Sequence, residues 1–249
     1  MTTPLDPQAH HHTRRCWYDH REARWNCSPQ QQTPIDVRDM IVVHTMLLRE
    51  FRLVRDAVAQ VGDGDARRAE VVDRHLGLLC DLLHHHHAGE DELLWPVLRP
   101  RLTARQARLL DVAEAQHAAL DAVLGRVRTG REQWVDEAAA APRRELVEAL
   151  EHLHALLAEH LRTEEEQLLP LAALQLTQAE WDAVGEAGAA SVPKAVLPLV
   201  FGMFAYEGDP AVLSAMLASA PAVPRYVVPR IAPTVYARRA RQVYGTATP

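Results

Sequence analysis

From Pro34 onward apolar residues recur every three or four positions, the spacing that lines one face of a helix. Four long segments carry this pattern. The first covers about 36–61, with Val43, Leu47, Phe51 and Val54 on one stripe, and stops at Gly62-Asp63-Gly64. The second covers about 65–98, with Leu76, Leu79 and Leu83 facing inward, and Pro100 ends it. The third follows Thr103, which suits an N-cap, carries Leu110, Leu120, Leu124 and Val127, and reaches Thr129-Gly130. The fourth opens near Pro142, carries Leu146, Leu150, Leu153 and Leu157, and runs to Pro170. No stretch alternates with period two over a useful length, and β-branched residues are too sparse for a sheet. The pattern predicts an all-α protein in which 34–171 form an up-down-up-down four-helix bundle.

Both ends break the pattern. In residues 1–33, Pro4, Pro7 and Pro29 bracket a polar stretch without helical periodicity, which predicts an irregular, disordered leader. After Thr177, which forms a capping-box pattern with Glu180, prolines at 193, 198, 210, 221, 224, 229 and 233 interrupt the chain. Residues 172–249 are therefore expected to be a C-terminal extension of short helices packed on the bundle. Its last part, 210–249, holds five arginines and no acid, whereas 1–209 hold 22 basic and 33 acidic residues. That contrast predicts a basic tail docked on an acidic bundle. Tyr226, Tyr236 and Tyr244 are read as part of that docking rather than as a stacking platform for nucleobases.

Composition narrows the function classes. The net charge of −6 over 249 residues gives no overall pull toward nucleic acid or a membrane surface. Three cysteines, Cys16, Cys27 and Cys80, cannot build a dense disulfide framework, so a reducing compartment is expected. The N-terminus lacks the charged-then-apolar order of a signal peptide, and the longest apolar run, 195–206, is too short to span a bilayer. These features predict a cytoplasmic protein.

Fourteen histidines against thirteen aromatics is the unusual number. The stretches His86-His-Ala-Gly-Glu90 and His160-Leu-Arg-Thr-Glu164 share His-x3-Glu, and each is followed by a proline six residues after the Glu, Pro96 and Pro170. Upstream of each stands one histidine in an apolar setting, His44 and His117, at nearly equal separations of 42 and 43 residues. The chain thus repeats a hairpin that offers His on one helix and His-x3-Glu on the next. In an antiparallel hairpin, positions at one level lie equally far from the turn. The midpoint of 44 and 86 is 65, that of 117 and 160 is 138–139, and that of 90 and 117 is 103–104, all in candidate turns. The four histidines are therefore expected in one layer. Because four residues advance a helix by little more than one turn, His and Glu at i and i+4 share a face. Four imidazoles and two carboxylates in a leucine-lined interior are costly to bury without partners, and a pair of metal ions supplies them.

This doubled motif resembles the hemerythrin-like (HHE cation-binding) family, and the resemblance covers roughly 36–171. It implies a four-helix bundle with a non-haem, carboxylate-bridged di-iron centre. Two iron ions would be held by His44 and His86 on one side and by His117 and His160 on the other, with Glu90 and Glu164 as bridges. The extended tail is similar to that of longer actinobacterial members. Oxygen-carrying members have a further histidine four residues before the third-helix ligand, where this chain has Ala113. They also bridge with His-x4-Asp on the last helix, where this chain has His-x3-Glu. The resemblance therefore implies two irons with open positions and catalase-like or peroxidase-like turnover of hydrogen peroxide or O2, in oxidative-stress defence. The alternative is a protein that binds or senses O2, NO or iron without turnover. A two-metal hydrolase is disfavoured, since no His-Asp dipeptide occurs and no third carboxylate is placed as a base.

Other histidines and acids are weighed beside these six. Glu114, three residues before His117, is a candidate seventh ligand if it faces inward. His84, His85 and His87 lack aligned partners in the second copy and are expected to be exposed or outside the ligand set, and His75, His152 and His154 to be solvated. His10 to His12, Cys16, His20 and Cys27 match no paired Cys/His spacing for zinc.

Overall fold

The computed structural model describes residues 16–19, 24–27, 34–218 and 220–249. Within the leader, strands β1 (Cys16–Asp19) and β2 (Arg24–Cys27) pair antiparallel, with Cys16 opposite Cys27 and Trp17 opposite Asn26. The expected irregularity of the leader does not hold for these eight residues. A four-residue strand is too short for period two to stand out in a sequence. His10, His11, His12 and His20 lie outside the described residues.

The second unit, Ile35–Pro249, is helical throughout. Its long helices are α1 (Arg38–Ala59), α2 (Ala66–Gly89), α4 (Ala104–Glu137) and α5 (Ala140–Thr163). Helix α1 packs on α2 and α5, and α4 packs on the same two, so the four enclose one interior. Phe51, Leu76, Leu79, Leu83, Leu150 and Leu157 fill it, all fully buried. Helix starts follow local chemistry. The Asp65 carboxylate accepts from the Arg68 N–H at the head of α2, and Thr103 with Gln106 forms a reciprocal cap on α4. Helix α4 does not stop at Thr129-Gly130 as expected. It runs on to Glu137, with Gly130 inside it at ordinary van der Waals distance from Leu146 of α5. The turn instead falls at Ala138, whose φ of 46° ends the helix in the left-handed region. At the same end of the unit, the Gly64 N–H donates to the Ala138 carbonyl at 2.9 Å, tying the α1–α2 turn to the α4–α5 turn.

Two helices change pitch at matching places. After α2 comes a π-helical turn, Glu90–Leu94, then α3 (Trp95–Leu98) and a 3-10 turn, Arg99–Arg101. After α5 comes a second π-helical turn, Glu164–Leu168, then α6 (Leu169–Gln175). In both, the N–H of the residue before the proline reaches five residues back, Trp95 to the Glu90 carbonyl and Leu169 to the Glu164 carbonyl. Pro96 and Pro170 cause this. A proline inside a helix has no N–H to give, and its ring collides with the carbonyl four residues back, so the turn before it widens.

The extension comprises α7 (Gln178–Ser191), α8 (Leu197–Ala205), α9 (Pro210–Met216) and α10 (Ala222–Tyr244). Thr177 and Glu180 cap α7 reciprocally, as their spacing predicts. The docking expected from charge takes another form. Among the described residues no arginine of 210–249 lies within ion-pair distance of an acid. The tail is held by apolar side chains, Leu199, Met203, Ala240 and Val243, which join the bundle core, and by hydroxyls. Tyr236 Oη donates to Glu50 Oε1 at 2.6 Å and Tyr244 Oη to Glu50 Oε2 at 2.7 Å, while Tyr226 stays exposed. His75, expected to be solvated, is fully buried in this network, 3.2 Å from Glu50 and 2.8 Å from the Tyr244 hydroxyl. Arg49 completes it, donating to Glu50 and to the Met203 carbonyl.

Helices α8 and α10 touch at Gly202, where a Cβ would lie 2.5 Å from the Ala232 carbonyl oxygen and 2.7 Å from Tyr236 Cβ. Gly202→Ala is expected to cost about 1–3 kcal/mol of stability by forcing these helices apart. Urea unfolding checks this, and an unchanged midpoint would remove the close contact from the account. No helix among the described residues is long and apolar enough to cross a membrane.

Candidate metal centre

The repeat brings its six residues together. His44 comes from α1, His86 from α2, His117 from α4 and His160 from α5, with Glu90 and Glu164 opening the two π turns. All but His86 are buried to 2% exposure or less, and the His86 side chain is 9% exposed. Each carboxylate stands between a histidine of its own helix and one of a neighbour. Glu90 Oε1 lies 3.5 Å from His86 Nε2, and its Oε2 lies 3.3 Å from His117 Nε2. Glu164 Oε2 lies 3.7 Å from His160 Nε2 and 3.4 Å from His44 Nε2. Most of these separations are too long for hydrogen bonds, and His44 Nε2, His86 Nε2 and all four carboxylate oxygens have no partner. Donors bonded at about 2.0–2.2 Å to a shared ion sit at such mutual distances.

The outer nitrogens are occupied, which fixes what the inner ones can do. His117 Nδ1 meets Asp91 Oδ1 at 2.9 Å, His44 Nδ1 meets Glu165 Oε1 at 2.9 Å, and His160 Nδ1 meets Gln116 Oε1 at 3.2 Å. These oxygens accept, so each ring carries its proton on Nδ1 and turns a bare Nε2 lone pair inward. His117 Nε2 and His160 Nε2 then face each other at 3.2 Å as two lone pairs, a repulsive contact that a cation relieves. Burial pushes the Glu90 carboxyl up to about 8 and Glu164 well above the usual range. Burial and the neighbouring imidazoles hold His86 well below its ordinary value and bring His160 down to about 3. His86 and His160 are thus held as neutral imidazoles, and Glu90 and Glu164 as carboxyls that only a cation makes favourable to ionise.

Asp91 and Glu165 escape the sequence reading, although a signal is present, since each follows its inward Glu directly. The π turn separates the two roles, one acid pointing in and the next reaching a histidine of the neighbouring helix. Asp91→Ala and Glu165→Ala are each expected to weaken metal binding about 10–100-fold, because the histidine loses its orienting acceptor. Metal titration checks this, and unchanged affinity in both variants would reduce the two contacts to surface pairs.

Two expectations are corrected here. Glu114 does not face inward; its side chain is 47% exposed and bonds Arg99 at 2.7 Å on the outer face of α4. His87 is not exposed. Its ring is buried, stacked on His117 at a centroid distance of 4.2 Å and edge-on to His160 at 5.2 Å. His84 and His85 do lie on the outside. Two groups of donor atoms, each within 4.8 Å of one another, can therefore hold a metal ion: His44, His86, Glu90 and Glu164, and His87, His117 and His160.

No curated protein and no solved structure matches this chain. The family model of the hemerythrin HHE cation-binding domain matches residues 36–172, which take in every one of these donors. Covering more than half of the 249 residues, that match places the chain in the hemerythrin HHE cation-binding domain family.

Proposed function

We propose that the four long helices form an up-down-up-down bundle around two non-haem iron ions, and that the protein decomposes hydrogen peroxide. Mixed imidazole and carboxylate donors suit iron. The observation that carries the reading is the closure of the layer. Only the edge of His86 reaches solvent, so the site admits molecules of a few atoms such as H2O2, O2 or NO and excludes extended substrates. The metal pair supplies two-electron exchange between its oxidation states, with no outside reductant. His44, His86, His117 and His160 hold it, Glu90 presents one oxygen to each histidine pair, and Asp91 and Glu165 keep the ring protons on Nδ1. The leucines above and below the layer exclude water. Ala113 supports turnover, since α4 offers a small buried side chain one turn before His117 and no further donor there.

A second reading, reversible binding or sensing of O2 or NO, is favoured by the buried ring of His87, a third imidazole beside His117 and His160. Oxygen-electrode traces decide between them. Iron-loaded protein given H2O2 is expected to release O2 above the level of free iron. No release, together with a stable reversible spectrum under O2, would replace turnover by binding.

A further inference from the structure

We propose that His87 is a fifth histidine ligand, making the two ion positions unequal, three imidazoles on one and two on the other. The inference rests on the reading of the layer as a dinuclear metal site and assigns a residue the doubled motif does not contain.

The sequence argument against His87 is that the second copy has Leu161 at the corresponding place, directly after its helix histidine. On an ideal helix, adjacent residues point about 100° apart, so His86 and His87 cannot both face one partner helix. They can both face the interior of a bundle if each addresses a different half of it. The rings do so. His86 lies 5.2 Å from His44, edge-on, whereas His87 lies against His117 and His160. In the second copy Leu161 is simply buried among apolar neighbours, so only one half of the layer gains the extra ring.

The decisive feature is the state of the ring. His87 is 2% exposed, and both Nδ1 and Nε2 are buried without a hydrogen-bond partner. A histidine kept in the interior for packing finds an acceptor for its N–H, as His75 does in the Glu50 network, because an orphaned polar atom costs about 1–3 kcal/mol. His87 has no such acceptor. What it has is a ring nitrogen within 4.8 Å of a ring nitrogen of His117 and of His160, whose Nε2 lone pairs already repel each other. A cation there is served by all three once the His87 ring turns out of its stack on His117.

The asymmetry carries a functional consequence. The ion beside His44 and His86 has fewer imidazole donors, two against three, and His86 is the most exposed ring of the layer. Ligand entry and the ion with two imidazoles therefore fall on the same side.

The test uses the full chain loaded with cobalt(II), whose paramagnetism shifts the exchangeable ring N–H resonances of coordinated imidazoles out of the protein envelope. Wild type is expected to bind two ions and show five such resonances. His87→Gln is expected to show four and to lose at least about tenfold in affinity for one ion only, since a direct ligand matters no less than an outer one. His85→Gln, on the exposed neighbouring position, should behave as wild type. Two ions with four shifted resonances in wild type would overturn the assignment even if His87→Gln fails to fold. So would an unchanged second affinity in His87→Gln. Wild type that binds no metal at all would bring down the dinuclear reading itself, an outcome separate from either of these.

Discussion

Loading the protein with metal is expected to raise its stability by about 4 kcal/mol at a thousandfold excess over Kd, a Tm gain of roughly 10 °C. In the double variant Glu90→Leu, Glu164→Leu the response should vanish. The same variant without metal should be more stable than metal-free wild type, by about 1–4 kcal/mol. Both signs follow from one fact. Glu90 and Glu164 are fully buried, and none of their oxygens has a hydrogen-bond partner. In the metal-free chain these carboxyls are a cost that leucines of similar volume remove, and with metal they become the strongest contacts in the bundle. Thermal unfolding of the four samples checks this. An unfolding transition indifferent to metal, or a metal-free double variant weaker than metal-free wild type, would show that the layer is not built around ions.

The second large effect is expected at Glu50. Glu50→Ala should cost about 3–5 kcal/mol while leaving metal content unchanged, because it removes the buried carboxylate shared by Arg49, His75 and the hydroxyls of Tyr236 and Tyr244. Glu50 stands six residues beyond His44, about 9 Å along α1, so the ligand layer is not disturbed directly. Burial alone would raise the Glu50 carboxyl. The bonds from His75 and Tyr236 and the charge of Arg49 outweigh it and hold the group at about 2, against 4.5 when unfolded. A carboxyl depressed on folding stabilises fully above its unfolded value. The gap in stability between wild type and Glu50→Gln, both metal-free, should therefore be constant above about pH 4.5 and shrink as pH falls toward 2. A gap that widens on acidification, or metal loss in Glu50→Ala, would reject this account.

Helix periodicity made the four long segments legible, and the repeat placed its six residues before any coordinates. The midpoint argument works because helices are straight and hairpin turns short, so distance along the chain translates into height in the bundle. What escaped depends on contacts between segments distant in sequence. His75 looks like a surface histidine until Glu50 and Tyr244, 169 residues further on, close around it. His87 is invisible to a comparison of the two copies because the asymmetry is itself the signal. The C-terminal arginines suggested a charged docking, yet the joint is made by apolar side chains, by two hydroxyls on the Glu50 carboxylate and by the Arg68 guanidinium on the Gln242 and Val243 carbonyls, and composition cannot tell an arginine facing water from one facing an acid. The end of α4 was misread because a lone glycine is tolerated inside a helix, and Gly130 lies within one that continues to Glu137.

The two π turns also set the phase of each helix. An inserted residue rotates everything beyond it by about 100° relative to an unbroken helix. Before the turn, α2 and α5 aim His86 and His160 at the bundle axis. After it, Trp95 and Leu98, and likewise Leu169 and Ala172, are turned into a separate apolar cluster with Leu110 and Trp181. One continuous helix could not satisfy both aims with these side chains. Removing a single residue from either turn would swing its lower half out of register, so each helix works as two rods coupled with a fixed angular offset. Sequence drift below the turn can then proceed without rotating the donors above it, provided the count of residues between Glu90 and Pro96, or Glu164 and Pro170, stays as it is.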